Sequence, residues 1–369
     1  MNTDIFATRC EEYDPVLIRD RISKHLDRHE KFRDPKGKSV LIKINLLSAS
    51  DPRKAVTTHP AFVEGLSEEL KARGARVTIG DSPGGPFNKR ALENAYEKTG
   101  MYDISKKHGV DLNYNTSSHV EKLPQGNMIK RFNVCDYLQE HDLVIATPKI
   151  KTHMFAGLTC CSKIMFGAIP GIEKVSYHTR FPDMDDFARM LLDLTDLTMP
   201  DLFLIDGIVG MDKKGPSWGR TRKVGVIISG TDNKTLDLYV SRMVGLDPET
   251  LPVTREVLKR MNIDPELPLE AEGDAADYRL EKSYKPASGF PLATNPPRFL
   301  SRFLVRMTTG KPKINKKNGA GCGVCRENCA GSAIRIVKKK AKIDYSKCIR
   351  CYCCHELCPH DAVKISRFM

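Results

Sequence analysis

The architecture of the chain follows from SVLIKINLLSASDPRKAVTTHPAFVEGLSEELKARGARVTIGDSPGGP, residues 39–86, which has the pattern of a strand, a helix and a second strand. The first segment is a short β-branched apolar run, and the last ends in a glycine-rich turn. The middle segment has helical spacing, with Thr58 as the predicted N-cap, Pro60 in the first turn and Gly74 as the stop. Two strands joined through a helix are typical of a parallel sheet.

The same alternation continues along the chain. The predicted strands are DLVIATPK, DLFLIDGIVG and KVGVIISG, and the predicted helices are NKRALENAYEKTG, MDDFARMLLDLTDLT and DNKTLDLYVSRMVG. We therefore predict a large α/β domain with a mainly parallel sheet, followed by a small α+β domain of the ferredoxin-like iron–sulfur type.

The small domain is predicted from CIRCYCCHELCPHDAV, residues 348–363. Its cysteines have the C-x2-C-x2-C-x3-C-P spacing that binds iron–sulfur clusters. A zinc ribbon would need two separated C-x2-C pairs, so we set that alternative aside. The expected ligands here are Cys348, Cys351, Cys354 and Cys358.

An earlier stretch, GAGCGVCRENCAGSAI, residues 319–334, repeats the run with its first cysteine replaced by Gly319. In two-cluster ferredoxins the fourth cysteine of each run binds the other cluster. Cluster one then has Cys329 with three ligands of the later run, and cluster two has only Cys322, Cys325 and Cys358. Cluster two could be a 4Fe-4S cluster with an open iron, a 3Fe-4S cluster or lost, and a fourth ligand could come from elsewhere. Cys353 is a spare thiol for which packing is the expected role.

Composition suggests two domains joined by a linker. The stretch SYKPASGFPLATNPPRF begins at Ser283 and is rich in proline, serine and glycine, and RFLSRFLVRM after it has helical spacing. We predict an α/β domain at residues 1–283, a linker and basic helix at 284–312, and the iron–sulfur domain at 313–369.

The net charge and the cysteine content limit the kind of partner and the cellular compartment of the protein. The chain of 369 residues has a formal net charge of +13, much of it in the last quarter. The expected partner is an acidic electron carrier, ferredoxin or flavodoxin, or a redox partner enzyme, although a plain solvated basic face is the alternative. Nucleic acid is disfavoured because aromatic content is 7% and no RNA-binding signature is present. Seven cysteines in cluster register, no signal peptide and no long apolar run predict a cytoplasmic protein without a membrane span.

Loops that follow strands are the candidate site, because ligands of α/β sheets gather at the carboxyl ends of strands. Hydroxyls, glycines and lysines in these loops would suit an anionic cofactor, although glycine turns and paired lysines also occur without function. The candidate cofactor-binding residues are Lys43, Asn45, Thr57, Thr58, His59, Asp81, Ser82, Gly84, Gly85, Lys149, Lys151 and Thr152.

Three residues are candidates for the chemistry itself. His153 and His178 could move a proton, and Lys163 lies in a glycine-rich segment suited to close contact with a ligand. Cys160 and Cys161 are adjacent, which favours buried packing thiols over a metal site. The single tryptophan, Trp218, could cover a planar ring or simply pack.

These strings together resemble the domain of unknown function family 362 with a C-terminal ferredoxin-like domain. The resemblance rests on IKINLL with TTHPAFVEGL, DSPGG, DLVIATPKIKTH with KIMFGAIPG, DGIVGMDKKGP and SGTDNKTLDLYVSRMVGLDP. It implies an anaerobic iron–sulfur redox protein associated with flavin or modified-flavin chemistry.

The leading hypothesis is an iron–sulfur oxidoreductase that relays low-potential electrons between an external carrier and an anionic cofactor or substrate in the α/β domain. FMN or a modified flavin is the favoured cofactor. The alternatives are a non-catalytic module that delivers electrons or clusters to a partner enzyme, and a nucleic-acid-associated iron–sulfur protein. The sequence does not indicate the substrate, the direction of electron flow or the oligomeric state.

Overall fold

The computed structural model describes residues 4–287 and 310–366. A large α/β domain is followed by a small domain that carries both cysteine runs, which confirms the predicted fold class. Most of the predicted linker and basic helix, residues 288–309, lies outside the described residues. No helix in the described part of the chain is long and apolar enough to cross a membrane.

The large domain is built on one mixed sheet in which parallel pairs outnumber antiparallel ones. The strands are β1 (Ile5–Arg9), β2 (Ser39–Ile44), β3 (Arg76–Gly80), β4 (Asp111–Leu112), β5 (Ser118–Lys122), β6 (Arg131–Cys135), β7 (Leu143–Thr147), β8 (Lys149–His153), β9 (Gly157–Thr159), β10 (Leu202–Asp212), β11 (Arg220–Gly230) and β12 (Ala271–Glu272). The order along the sheet is β12-β1-β11-β10-β7-β2-β3-β4, and β8 pairs with β10 and β9. β5 and β6 form a separate hairpin.

Helices cover both faces of this sheet. They are α1 (Pro15–Asp27), α2 (Glu30–Arg33), α3 (Pro60–Ala72), α4 (Lys89–Thr99), α5 (Met101–His108), α6 (Cys161–Ile164), α7 (Lys174–Arg180), α8 (Met184–Leu197), α9 (Asn233–Met243) and α10 (Pro252–Met261). The N-cap of α3 is His59, whose Nδ1 accepts from the Ala61 amide, so the expectation of Thr58 at this position is wrong.

Alternation along the central strand explains the two layers. In β10, Leu202 and Leu204 point into the core shared with α1, α3, α4 and α5. Phe203 and Ile205 point into the opposite core, shared with α8, α9 and α10. Successive side chains of a strand face opposite sides, so an apolar run without polar interruptions is what a sheet covered on both faces requires.

The consecutive strands β7 and β8 position several of the candidate site residues. β7 and β8 are separated only by Pro148, and both pair in parallel with β10. Proline has no backbone N–H to donate, so Pro148 marks the break between these two strands alongside β10. β8 thereby carries its lysines and His153 past the carboxyl end of β2, where ligands of α/β sheets bind.

The small domain packs against this same end of the sheet. Its elements are β13 (Lys311–Ile314), α11 (Val324–Glu327), β14 (Ile334–Val337), β15 (Lys340–Ile343), α12 (Cys353–Glu356) and β16 (Val363–Ser366), with β13–β16 and β14–β15 antiparallel. The Ser217 hydroxyl donates to the Glu356 carbonyl at 2.7 Å, and the Trp218 indole donates to the Cys358 carbonyl at 3.1 Å. The loop after β10 therefore holds the segment between two cysteines of the later run.

Candidate functional site between the domains

An open cavity lies where the two domains meet. The α/β domain contributes loops that follow β2 and β3 together with α6 and α7, and the small domain contributes α12 and the residue after it. The residues used below are Asn45, Ser82, Lys163, Lys174, His178, Cys353, Glu356 and Leu357. A concave site with a few convergent polar groups is typical of small-molecule binding.

One wall is held by a buried ion pair. Lys43 Nζ lies 2.7 Å from Asp81 Oδ1 and also donates to the Ile164 carbonyl at 2.9 Å. The second carboxylate oxygen of Asp81 accepts from the Leu46 amide. A Cβ at Gly167 would lie 2.1 Å from Asp81 Oδ1, so only glycine leaves room for the pair. The pair joins the ends of β2 and β3 to the last residue of α6.

Lys163 faces the cavity without a partner for its ammonium. Within the described ranges it makes no hydrogen bond or ion pair, and its Nζ lies 4.6 Å from the centroid of the Phe166 ring. Burial lowers the pKa of Lys163, and the Glu356 carboxylate opposes that shift. Lys163 is half-buried, and a partly desolvated ammonium without a hydrogen-bonding partner favours a site that receives an anion.

Glu356 is the acidic residue of the opposite wall. Burial raises the pKa of its carboxyl to about 7, against the opposing effects of Lys163 and Lys151. Its Oε1 lies 3.3 Å from His153 Nε2 and has no hydrogen bond within the described residues. Lys151 lies nearby, but its Nζ donates to the Val56 carbonyl at 2.5 Å.

Lys174 closes a third side. Its Nζ donates to the Ser82 hydroxyl at 2.8 Å and to the Ile169 carbonyl at 2.6 Å. The same hydroxyl accepts from the Gly171 amide, so Ser82 is a bridge between the β3 loop and the start of α7. Burial lowers the pKa of Lys174 to about 7.

The two candidate histidines are both held neutral. His153 Nδ1 accepts from the amides of Phe155 and Ala156, so the proton is on Nε2, which faces Glu356. Burial lowers the pKa of His153 well below its usual value. His178 stacks on Phe187 and leaves Nδ1 unpaired among the described residues, and burial lowers its pKa to about 3. His178 therefore offers the cavity a hydrogen-bonding nitrogen rather than a charge.

A second buried ion pair lies behind the cavity. Lys149 Nζ is 3.0 Å from Asp206 Oδ2 and 2.8 Å from the Tyr13 hydroxyl. The His59 amide donates to the same carboxylate, and the His59 ring stacks on Tyr13 at 3.6 Å. These side chains hold β8, β10 and the start of α3 together. Lys149 is therefore buried in an ion pair and does not lie on a solvated strand edge.

Four cysteines of the small domain enclose a cavity of their own. It is lined by Cys329, Cys348, Cys351 and Cys354 together with apolar residues, and the Ala333 amide donates to Cys329 Sγ at 3.1 Å. Four thiols around one enclosed space, with an amide hydrogen bond to a sulfur, fit a cubane cluster. The set matches the ligands predicted for cluster one. When bound, the cluster would supply one-electron chemistry next to α12.

The remaining cysteines of the two runs also come together. Burial raises the pKa of the Cys325 thiol, and the neighbouring Cys358 and Cys322 raise it further. Cys322 is exposed, whereas Cys358 is buried and accepts from the Ala362 amide at 3.3 Å. Cys353 is buried, as expected for a spare thiol, but it also lines the interdomain cavity.

The structure divides the sequence-derived candidates into two groups. Those that line the cavity are Asn45, Asp81, Ser82, Gly84, Gly85, Lys163 and His178, and those behind it or away from it are Lys43, Thr57, Thr58, His59, Lys149, Lys151, Thr152 and His153. Thr58 is structural, because its hydroxyl donates to the Thr147 carbonyl and accepts from the Asn45 amide. The buried hydroxyls of Thr57 and Thr152 have no partner among the described residues.

Sequence reasoning missed Lys174 and Glu356. Lys174 opens an amphipathic helix, and Glu356 is a spacer between two cysteines, so neither stands in a pattern that signals a site. Cys160 and Cys161 are buried with their sulfurs 3.9 Å apart, near Asp237. Asp237 accepts from the amides of Cys161 and Ser162, which gives its carboxylate a structural role at the start of α6.

Comparison with known proteins places the chain in a family. A model for the domain of unknown function DUF362 matches residues 40–242, more than half of the chain. The chain belongs to the DUF362 family. A second model, for a 4Fe-4S binding domain, matches residues 341–364, which include the later cysteine run. Both matches confirm the predicted resemblance, and this DUF362 chain is an iron–sulfur protein.

Individual relatives are more distant. A thylakoid-associated protein of Synechocystis is 27% identical over 230 residues, which are 62% of this DUF362 chain and 70% of the relative. The lactate racemase apoprotein from Thermoanaerobacterium thermosaccharolyticum aligns with a TM-score of 0.42 at 14% identity, over 66% of this chain and 57% of the racemase. A Thermotoga maritima protein aligns with a TM-score of 0.34 at 12% identity, over 58% and 56% of the two chains. The chain thus spans just over half of each solved structure.

Lys43, which has an ion-pair partner, and Lys163, which has none among the described residues, should respond differently to substitution. Lys43→Met leaves Asp81 buried without its cation, so we expect the free energy of unfolding to fall by about 3–5 kcal/mol. Lys163→Met removes an ammonium that has no ion-pair partner, so we expect a change below about 1 kcal/mol. Anaerobic urea denaturation of the full chain measures both, and equal losses would contradict this assignment.

The buried lysines also predict a pH dependence of stability. Burial lowers the pKa of Lys151 to about 7, helped by Lys163 and Lys149 and opposed by Glu356. Between about pH 7 and the ordinary pKa of 10.5, the unfolded chain binds this proton and the folded chain does not. The free energy of unfolding should therefore rise with pH in that window, by up to about 1.4 kcal/mol per pH unit for one lysine. Urea titrations should show a flatter rise for Lys151→Met and an unchanged rise for the exposed control Lys38→Met; an unchanged rise in Lys151→Met would refute the assignment.

Proposed function

We propose that this chain is a cytoplasmic iron–sulfur oxidoreductase that relays low-potential electrons between an external carrier and an anionic redox cofactor or substrate in the interdomain cavity. The α/β domain, residues 1–283, binds and orients the ligand. The iron–sulfur domain, residues 313–369, supplies the electron path. The protein's own task is therefore to hold two redox groups close together and to exclude water between them.

The observation that carries this proposal is the composition of one cavity wall. Cys353 and Leu357 line the cavity, and each is the direct sequence neighbour of a predicted cluster ligand, Cys354 or Cys358. A ligand in the cavity would therefore lie beside the iron–sulfur domain rather than at a remote surface. A binding module with no chemistry of its own has no need of such a shared wall.

The charges support an anionic ligand. Five lysines surround this end of the sheet, of which Lys43, Lys149 and Lys151 are buried and Lys163 and Lys174 are half-buried. They face three buried carboxylates, Asp81, Asp206 and Glu356. Lys163 is the ammonium that reaches the cavity without a partner in the described residues. We favour FMN or a modified flavin, because the cavity combines this cation with the Phe166 ring and with hydrogen-bonding groups on Asn45 and His178.

Anaerobic purification tests the proposal directly. Iron, sulfide and flavin are measured in one sample of the full chain and of Lys163→Met. We expect flavin in the unaltered chain and at least a tenfold weaker retention in Lys163→Met, because the variant loses the unpaired cation while iron content stays the same. Lys38→Met is the control, since Lys38 is exposed and precedes β2 at the opposite end of the sheet.

Two results would count against this function. Iron without any flavin or other extractable redox ligand would favour the electron-delivery module instead. Flavin retained equally by Lys163→Met and the unaltered chain would mean that the ligand binds elsewhere.

We further propose that Cys322, Cys325 and Cys358 hold a second cluster with one position open at Gly319. A Cβ at Gly319 would lie 3.3 Å from the Asn315 carbonyl oxygen and 3.6 Å from Ile314 Cγ2, so a cysteine there requires the carbonyl to shift by a few tenths of an ångström. We expect about eight irons per chain in both forms, and an EPR signal that responds to cyanide in the unaltered chain but not in Gly319→Cys. About four irons in the unaltered chain would contradict a second cluster. The same cyanide response in the unaltered chain and in Gly319→Cys would contradict an open position at Gly319.

A further inference from the structure

The hairpin that joins β14 to β15 has an unusual turn. Val337 pairs with Lys340, so the loop consists of Lys338 and Lys339 alone. Both have left-handed backbone conformations, with φ of 48° and 57°. A two-residue turn of this type favours Asn-Gly, Asp-Gly or Gly-Gly, because other side chains are strained at positive φ. The chain has lysine at both positions, although this backbone conformation favours asparagine or glycine.

This turn lies directly on the loop that carries Cys322. A Cβ at Gly321, the residue before Cys322, would lie 2.4 Å from the Lys339 carbonyl oxygen. Lys340 Nζ donates to the Lys316 carbonyl at 3.0 Å, which ties the hairpin to the start of the same loop. Cys322 is itself exposed. The strained turn therefore brings positive charge to the point where the set of Cys322, Cys325 and Cys358 reaches the surface.

The turn lies among other exposed lysines. The lysines of the hairpin and of the adjoining loop form a basic patch, which comprises Lys316, Lys317, Lys338, Lys339, Lys340 and Lys342. Val337, which precedes the turn, is 40% exposed. An exposed apolar side chain beside clustered charge suits a protein partner, and complementary charge steers its approach.

We propose that this basic patch is the docking site of an acidic electron-carrier protein, and that electrons enter the chain beside Cys322. The proposal rests on the function given above and specifies its partner. In each encounter one electron passes from the reduced carrier, which is oxidised, to the iron–sulfur centre of this chain, which is reduced. No bond is made and no proton moves. The lysines position the carrier and take no part in the transfer itself.

Nucleic acid is the competing occupant of a basic surface. Backbone strain at two consecutive lysines argues against it, because phosphate binding could be met by lysines on any relaxed loop. The exposed Val337 also has no part in phosphate recognition. Protein docking at a defined distance from a redox centre does require charge at this one place.

The turn itself supplies the test. Lys338→Asn with Lys339→Gly removes both charges and installs the pair that the turn prefers. We expect an equal or higher thermal midpoint, together with at least tenfold weaker binding of an acidic two-cluster bacterial ferredoxin at low ionic strength. Anaerobic calorimetric titration of the full chain at several salt concentrations measures the affinity, and its salt dependence should become shallower.

Control variants test whether the affinity for ferredoxin depends on the charge of the turn or on its backbone conformation. Replacing both turn lysines by arginine keeps the charge and should keep the affinity. Lys38→Gln with Lys106→Gln removes two exposed lysines from the α/β domain and should change little. Reduction by dithionite should bleach the visible spectrum equally in all forms, because dithionite needs no docking site.

Each result decides a separate point. Unchanged ferredoxin affinity in the Asn-Gly variant overturns the docking site, as does tight, salt-sensitive binding of duplex RNA that the variant loses while ferredoxin binds neither form. Ferredoxin binding that depends on the turn in a chain without a redox ligand would instead keep the docking site and reject the proposed oxidoreductase.

Discussion

Lys43 Nζ and Asp81 Oδ1 meet at 2.7 Å with both side chains almost removed from solvent. Each charge is tolerable there only because the other is present, so the pair fixes the relative position of the β2 and β3 ends. Lys43 also binds the Ile164 carbonyl, which draws α6 and therefore Lys163 onto the same edge. The absence of a side chain at Gly167 is part of this arrangement, since a Cβ would occupy the space of the carboxylate.

The Lys43–Asp81 pair is neutral overall, but the other lysines around the cavity outnumber the carboxylates that could neutralise them. Lys149 is neutralised by Asp206, whereas Lys151 and Lys174 bind mainly neutral oxygens. Their pKa values fall to about 7 because burial penalises the ammonium form. An anionic ligand would reverse that penalty for each nearby lysine, so ligand binding and lysine protonation should stabilise each other.

The sequence was sufficient for β2, β3, β7, β10 and β11, because these strands follow local periodicity, but it did not predict β1, the β5–β6 hairpin or β12. The spacing of the cysteines predicted which of them lie together. The runs beginning at Ser39 and Leu202 became β2 and β10, and Cys329 joined the later run as the spacing requires. The site was only partly predictable. The sequence pattern of Lys149 and Lys151 would be the same on a solvated strand as on a buried one, so it does not reveal that both side chains are buried. The roles of Lys174 and Glu356 depend on how α7 and α12 pack, which no local pattern contains.

The shared wall has a consequence for how the two domains work together. In the α/β domain alone, Lys163 and the Gly84 turn would face solvent, and an anion there would compete with water at high dielectric. Leu357 packs against Gly84 so closely that a Cβ at residue 84 would lie 2.7 Å from Leu357 Cδ2. The iron–sulfur domain therefore closes the cavity as well as carrying the redox centre. Ser217 and Trp218 hold this closing segment through its backbone carbonyls, so its placement does not depend on which side chains line the cavity.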